Sequence, residues 1–222
     1  MMNNQESADI SAIESRSVVY EDVYYLLFNE LITGQLEPGK ALTVRGLATQ
    51  LGVSPMPVRE AVKRLVAQGA LTMTQTRRVM VAPMNDARFE EIGLGRSLLE
   101  PELAVRALPN FTTADIRQLE RLDAQLDAAI EQGDTSSYGR FNWGFHSFIY
   151  NKANMPSLYA LVEALWLQVG PFMRLAVGRL GTSNLDDQHE LAITAIKNKD
   201  AALLAQAIRQ DIVDGIKLVK SG

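Results

Sequence analysis

The 222-residue sequence contains no cysteine and only two histidines, His146 and His189. Without cysteine there is neither a disulfide framework nor a thiolate metal site. With two histidines, any metal centre has to borrow carboxylate or amide ligands. No apolar run approaches the ~20 residues needed to span a bilayer. The opening MMNNQESADISAIESR lacks the basic n-region and apolar core of a signal peptide, so a cytoplasmic protein with no membrane partner is expected. Otherwise the composition, 47% hydrophobic and 22% charged, is that of an ordinary globular protein of one or two domains.

Positive charge is scarce except in one place. Residues 1–37 carry one arginine and seven acids, a net of −6. Residues 38–83 carry Lys40, Arg45, Arg59, Lys63, Arg64, Arg77 and Arg78 against Glu60 alone, a net of +6. The rest nets −4. A compact basic segment in an acidic chain implies a localised anionic partner.

The periodicity of that segment says what kind. Val19, Val23, Leu26, Leu27 and Leu31 have helical spacing, and Gly34 is a natural stop. Thr43 is placed to cap a second helix whose Val44, Leu47, Ala48 and Leu51 face inward. After Gly52-Val53, Ser54 is placed to cap a third helix with Pro55 at its first position. Val58, Ala61, Val62, Leu65 and Val66 form its buried stripe, while Met56, Arg59, Glu60 and Lys63 share the opposite face. LTMTQTRRVMV then reads as a β-hairpin tipped by Thr76, Arg77 and Arg78. The order is that of a winged helix-turn-helix, whose third helix fits the DNA major groove.

LITGQLEPGKAL followed by LATQLGVSPMPVREAVKRLVAQGAL resembles the DNA-binding domain of GntR-family transcriptional repressors over about 60 residues. The resemblance implies operator contacts from Arg45, Ser54, Pro55, Met56, Arg59, Lys63, Thr76, Arg77 and Arg78. Pro55 stands where the family usually has Arg or Lys, Met56 where it has Thr, and Arg78 where the wing has Gly, so a different operator sequence is expected. Arg59 is the candidate for a guanine contact.

Beyond the linker VAPMND at 81–86, nearly everything has helical periodicity. A bend is expected at Pro101, a cap at Thr113 and a break near Gly170-Pro171. The expected fold is therefore mainly α: a flexible N-terminus (1–16), a winged helix-turn-helix (17–83) and an all-helical bundle of about six or seven helices (84–222). The bundle resembles the effector domain of the FadR-like branch, the FCD type, through RSLLE at 96–100, FH at 145–146 and NMPSLY at 154–159. The resemblance implies a homodimer, a small organic-acid effector and a divalent metal (Zn, Ni or Mn) held by Asn142, His146, His189 and Asp211. Asn142 replaces the family's Asp and Asp211 replaces its last His, so one carboxylate moves between the two positions. Arg96 and Arg174 are the candidate partners of an acid's carboxylate. The resulting expectation is a ligand-responsive DNA-binding regulator. The alternative, a metal-dependent enzyme built on His146 and His189, leaves the basic segment without a purpose.

Overall fold

The computed structural model describes residues 20–180 and 187–221, with side chains for all of these except 174–180 and 221. The expectations placed on residues 1–16, Val19 and the side chain of Arg174 lie outside the described residues. Helix α1 (20–32) is followed by α2 (Val44–Leu51), α3 (Pro55–Ala67) and an antiparallel hairpin of β1 (Leu71–Met73) and β2 (Val79–Val81). Six helices complete the order: α4 (Asp86–Ala107), α5 (Thr113–Glu131), α6 (Thr135–Asn151), α7 (Pro156–Leu180), α8 (Gln188–Asn198) and α9 (Ala201–Ser221). A short 3-10 turn, Leu108–Asn110, closes α4.

The first three helices pack through the stripes that the spacing predicts. Val23, Leu27 and Leu31 of α1 meet Leu47 and Ala48 of α2 and Val58, Ala61, Val62 and Leu65 of α3, all buried. Leu26 is the exception, 47% exposed, because the buried face of α1 is turned toward Tyr24 and Phe28 instead. In the hairpin Leu71 pairs with Val81 and Met73 with Val79. Val79 also exchanges both backbone hydrogen bonds with Leu42, which ties the wing to the strand-like approach of α2.

Among the described residues the two halves share one main core running from Val23 to Val219, beside a small separate cluster of Leu126, Ala129 and Tyr138. At the junction α6 comes so close to the end of α1 that a Cβ on Gly139 would sit 2.7 Å from the carbonyl oxygen of Ile32. Any other residue there would push apart the helix carrying His146 and the DNA-binding half.

One helix stands as expected at Pro101, and two local expectations change. α4 runs unbroken through Pro101, although proline leaves the Ser97 carbonyl without its helical donor. Arg209 of α9 supplies that donor, Nη1 to Ser97 O at 2.7 Å. α7 likewise continues through Gly170-Pro171. The cap of α5 is Thr112, one residue before Thr113: its hydroxyl accepts from Asp115 N, and Asp115 answers by accepting from Thr112 N at 2.9 Å.

Candidate functional site

The outward face of α3 begins with an unusual helix start. Ser54 occupies the N-cap position with extended backbone, yet its side chain makes no capping hydrogen bond. Proline removes one of the two usual partners: Pro55 and Pro57 fill the first and third helical positions, so no third-position N–H exists and only the Met56 N–H is left for the serine cap. The Ser54 hydroxyl is left pointing from the helix start with its acceptor capacity unused inside the cap.

Along the same face Met56 is 68% exposed. Lys63 pairs with Glu60 at 2.7 Å, which leaves Arg59 exposed and without an ion pair among the described residues. Arg45, Arg77 and Arg78 are also exposed and unpaired among them. At the wing tip Arg77 adopts φ +58, a conformation costing about 1–2 kcal/mol in a residue with a Cβ. Thr74 holds it there, accepting from Arg77 N at its carbonyl and from Arg78 N at its hydroxyl. Thr76 is engaged inside this turn, 3.0 Å from the Thr74 hydroxyl. Arg64, on the flank of α3, does not join the outward row: its guanidinium lies 3.7 Å from the Tyr24 ring centre and 3.4 Å from Glu21.

The second constellation lies inside the helical half. α6 carries Asn142 and His146 one turn apart, α8 brings His189 and α9 brings Asp211. His146 Nε2 lies 3.1 Å from His189 Nε2 and 3.1 Å from Asp211 Oδ2, and His189 Nε2 is 3.8 Å from Asp211 Oδ1. Asn142 is buried and lines the adjoining cavity of about 270 Å³ with Arg96, Tyr138, Trp166, His189 and Asp211. Asn142, His189 and Asp211 thus line one cavity, and His146 lies buried behind it, against His189 and Asp211.

Hydrogen bonding decides where the imidazole protons sit. The Tyr150 hydroxyl donates to Glu100 Oε2 at 2.7 Å, so toward His146 Nδ1, 3.0 Å away, it acts as acceptor. His146 therefore carries its proton on Nδ1 and presents a lone pair at Nε2. Asp123 Oδ1 stands 3.3 Å from His189 Nδ1; it is buried without an aligned hydrogen bond, so the attraction is mainly electrostatic, and it draws a proton to that nitrogen. Two ring nitrogens and a carboxylate then face each other and require a positive charge between them. An extra proton on His189 is one solution. Burial disfavours a charged His189, but Asp123, Asp211 and Asp187 outweigh it and raise its pKa. Burial lowers the pKa of His146, although Asp211 pulls it the other way. Burial would also raise Asp211, but His146, His189 and Arg96 overcome it and hold the carboxyl at about 2.

A divalent cation is the other solution, and the donors fit one. Tetrahedral coordination with bonds near 2.0–2.1 Å spaces its ligand atoms about 3.3 Å apart; here His146 Nε2 lies 3.1 Å from both His189 Nε2 and Asp211 Oδ2, and one ligand atom from each of the three residues lies within 4.8 Å of the others. Ring orientation is already set by Asp123 and by the Tyr150–Glu100 pair, the carboxylate–histidine pattern of metal sites. Tyr150 was legible in principle, lying four residues after His146 on one helix face. Asp123 and Glu100 arrive from other helices and carry no local signal. Arg96 lines the cavity but is not free: it forms a buried two-pronged pair with Glu100 at 2.6 and 3.3 Å and stacks 4.0 Å above Trp166.

Comparison with known proteins matches both halves. Residues 19–81 match the family described as bacterial regulatory proteins, gntR family, and residues 91–214 match the FCD domain. The HTH-type transcriptional regulator McbR of Escherichia coli strain K12 is 33% identical over 193 residues, covering 84% of this chain and 87% of that protein. The gluconate operon transcriptional repressor of Bacillus subtilis strain 168 is 25% identical over 202 residues, covering 86% and 81%. The solved structure of E. coli McbR/YncC superposes with a TM-score of 0.84 at 30% identity, covering 91% of this chain and 97% of that one.

Proposed function

This chain belongs to the GntR family of bacterial regulatory proteins and carries an FCD domain, and on that premise we propose that it is a ligand-responsive transcriptional repressor acting on DNA as a homodimer. Residues 17–83 read the operator and residues 84–222 bind the effector and the second protomer. One observation carries the DNA reading: Arg59 on α3, Arg45 on α2, and Arg77 and Arg78 on the wing stand exposed and unpaired among the described residues. Arg59 reads a guanine edge, Met56 packs on a thymine methyl, and the Ser54 hydroxyl and the other arginines take phosphates. A DNA partner sets the work in the cytoplasm, and the proteins it resembles are transcriptional regulators rather than enzymes.

In a dimer the two recognition helices address half-sites about 34–36 Å apart. Exposed Leu94 and Leu98 on α4 and Leu161 on α7 supply the apolar surface for self-association. His146, His189 and Asp211, with Asn142 as a neutral oxygen donor, hold a divalent cation; bound there, it supplies the positive charge that an acid effector needs. The lining supports this, because Asp123, Asp127, Asp187 and Asp214 make the bare cavity unfavourable to an anion while Arg96 is committed to Glu100. Cavity occupancy then shifts operator affinity by a coupling of about 1–3 kcal/mol.

The test is titration of the protein onto DNA from upstream of its own gene at two salt concentrations, beside Arg59→Ala. Saturable, salt-steep binding that is absent on scrambled DNA and weakened about 5- to 150-fold in Arg59→Ala supports the reading. Equal binding of the variant would assign the basic face another role.

A further inference from the structure

α7 touches the cavity with one face and the DNA-binding half with the other. Trp166 lines the cavity, its ring carrying Arg96 at 4.0 Å and lying 5.2 Å from the His146 ring. Gln168, two residues on, is rotated by about 200° around the helix and points the opposite way. Its side-chain amide is held at both ends. Oε1 accepts from Arg88 Nη2 at 2.6 Å, and Nε2 donates to the backbone carbonyl of Gln68 at 3.0 Å and to Ala164 O at 3.1 Å.

Gln68 is the C-cap of α3, the helix carrying Arg59. Its own side chain accepts from the Tyr24 hydroxyl at 3.1 Å, which joins α1 to the same knot. The next residue, Gly69, has φ +75, and a Cβ there would meet Arg88 Nη2 and the Gln168 amide at 3.2 Å. The end of the recognition helix, the start of the effector domain and the cavity helix thus meet at a single glutamine. Arg88, just past the linker, is fixed in turn by Asn85, whose side chain accepts from Arg88 N at 2.9 Å.

We propose that Gln168 is the clasp through which occupancy of the cavity is relayed to the recognition helix, by positioning the α3 C-terminus through its bond to the Gln68 carbonyl. The proposal rests on the cavity being the effector site. A ligand that draws in or displaces Trp166 moves α7 as a rigid rod, and Gln168 passes the displacement to α3 and α4 together. A contact of this kind is a coupling element only if both sites bias it, so the test has to perturb one side and read the other.

The experiment is hydrogen–deuterium exchange on the full chain with and without Zn²⁺ as sole addition, in wild type, Gln168→Ala and Gln168→Glu. Gln168→Glu keeps the size and the Arg88 contact but replaces the donor facing Gln68 with an oxygen. In wild type, Zn²⁺ is expected to change exchange in residues 66–72 by about fivefold or more. Both variants should take up the same equivalents of metal and lose that change. An equal change in the variants, or none in wild type with Zn²⁺ bound, overturns the clasp. If no Zn²⁺ is taken up, the metal reading alone fails. Asp211→Asn then serves as the cavity perturbation, with exchange at 66–72 compared with and without Gln168→Ala and read by the same two outcomes.

Discussion

Arg59 and Arg96 are the same residue put to opposite uses in the two halves of this molecule. Arg59 lies on an open helix face, its neighbour Glu60 already taken by Lys63, with no ion pair among the described residues. Arg96 is buried against Trp166 and clamped by Glu100, whose second oxygen also receives the Tyr150 hydroxyl. The DNA-reading half is ready for a large external partner because Arg45, Arg59, Arg77 and Arg78 are left exposed and unpaired among the described residues. The helical half is ready for a small internal one because its buried arginine is paired and the space between His146, His189 and Asp211 wants a positive charge. Unpaired arginines are tolerable in water and costly in a core, so each half uses the only arrangement its environment permits.

That contrast fails or sharpens under substitution. The largest effect is expected from Glu100→Ala, which strands a buried guanidinium and should cost about 3–5 kcal/mol in urea unfolding. Replacing both members, Arg96→Met with Glu100→Leu, should recover most of the loss. An unchanged midpoint for Glu100→Ala alone would show that Arg96 reaches water or another anion and is not the buried opposite of Arg59.

The wing tests the other side. Arg77→Ala with Arg78→Ala should leave unfolding within about 0.5 kcal/mol of wild type. It should also lower the slope of log affinity against log salt by about 1.8, at ~0.9 for each phosphate that is no longer neutralised. A slope that does not move would mean that the tip stays clear of DNA.

The smallest effect belongs to a polar contact on the surface of the helical half. Asp115 sits in the capping box of α5; its bond from Lys152 and those from Thr112 hold its carboxyl at about 2. A carboxyl held below its ordinary value stabilises the fold above the ordinary range, and that stabilisation is lost as pH falls toward about 2. Asp115→Asn should therefore cost about 1 kcal/mol at neutral pH, with the gap from wild type closing in acid. A gap that persists at pH 2 would assign the contribution to shape instead of charge.

Most of the DNA-binding half was legible because its information is local. The i, i+3, i+4 spacing that buries Val58, Ala61, Val62 and Leu65 necessarily turns Met56, Arg59 and Lys63 outward. The missed details there are also local: Pro57 removes one partner of the Ser54 cap, and Leu26 sits on the edge of a stripe whose centre lies nearer Tyr24 and Phe28. In the helical half, spacing placed Asn142 beside His146 on one helix, and only resemblance joined His189 and Asp211 to them. One helix through Pro101 was legible, but its compensation and the continuity of α7 through Pro171 were not. At Pro101 the compensation for the missing N–H comes from Arg209, 112 residues from the carbonyl it serves.

The sequence by itself determined a reading head: charge segregation, helix starts and a basic hairpin follow from the order of residues within single elements, where backbone geometry alone directs the side chains. Only the tertiary structure decided which groups make the cavity polar, that Arg96 is committed to Glu100, that Asp123 orients His189, and that Gln168 grips the end of α3. Apart from Arg96–Glu100, one turn apart on α4, those pairings cross between elements, and their register is set by how whole faces pack, for which no stretch of a single helix carries the instruction.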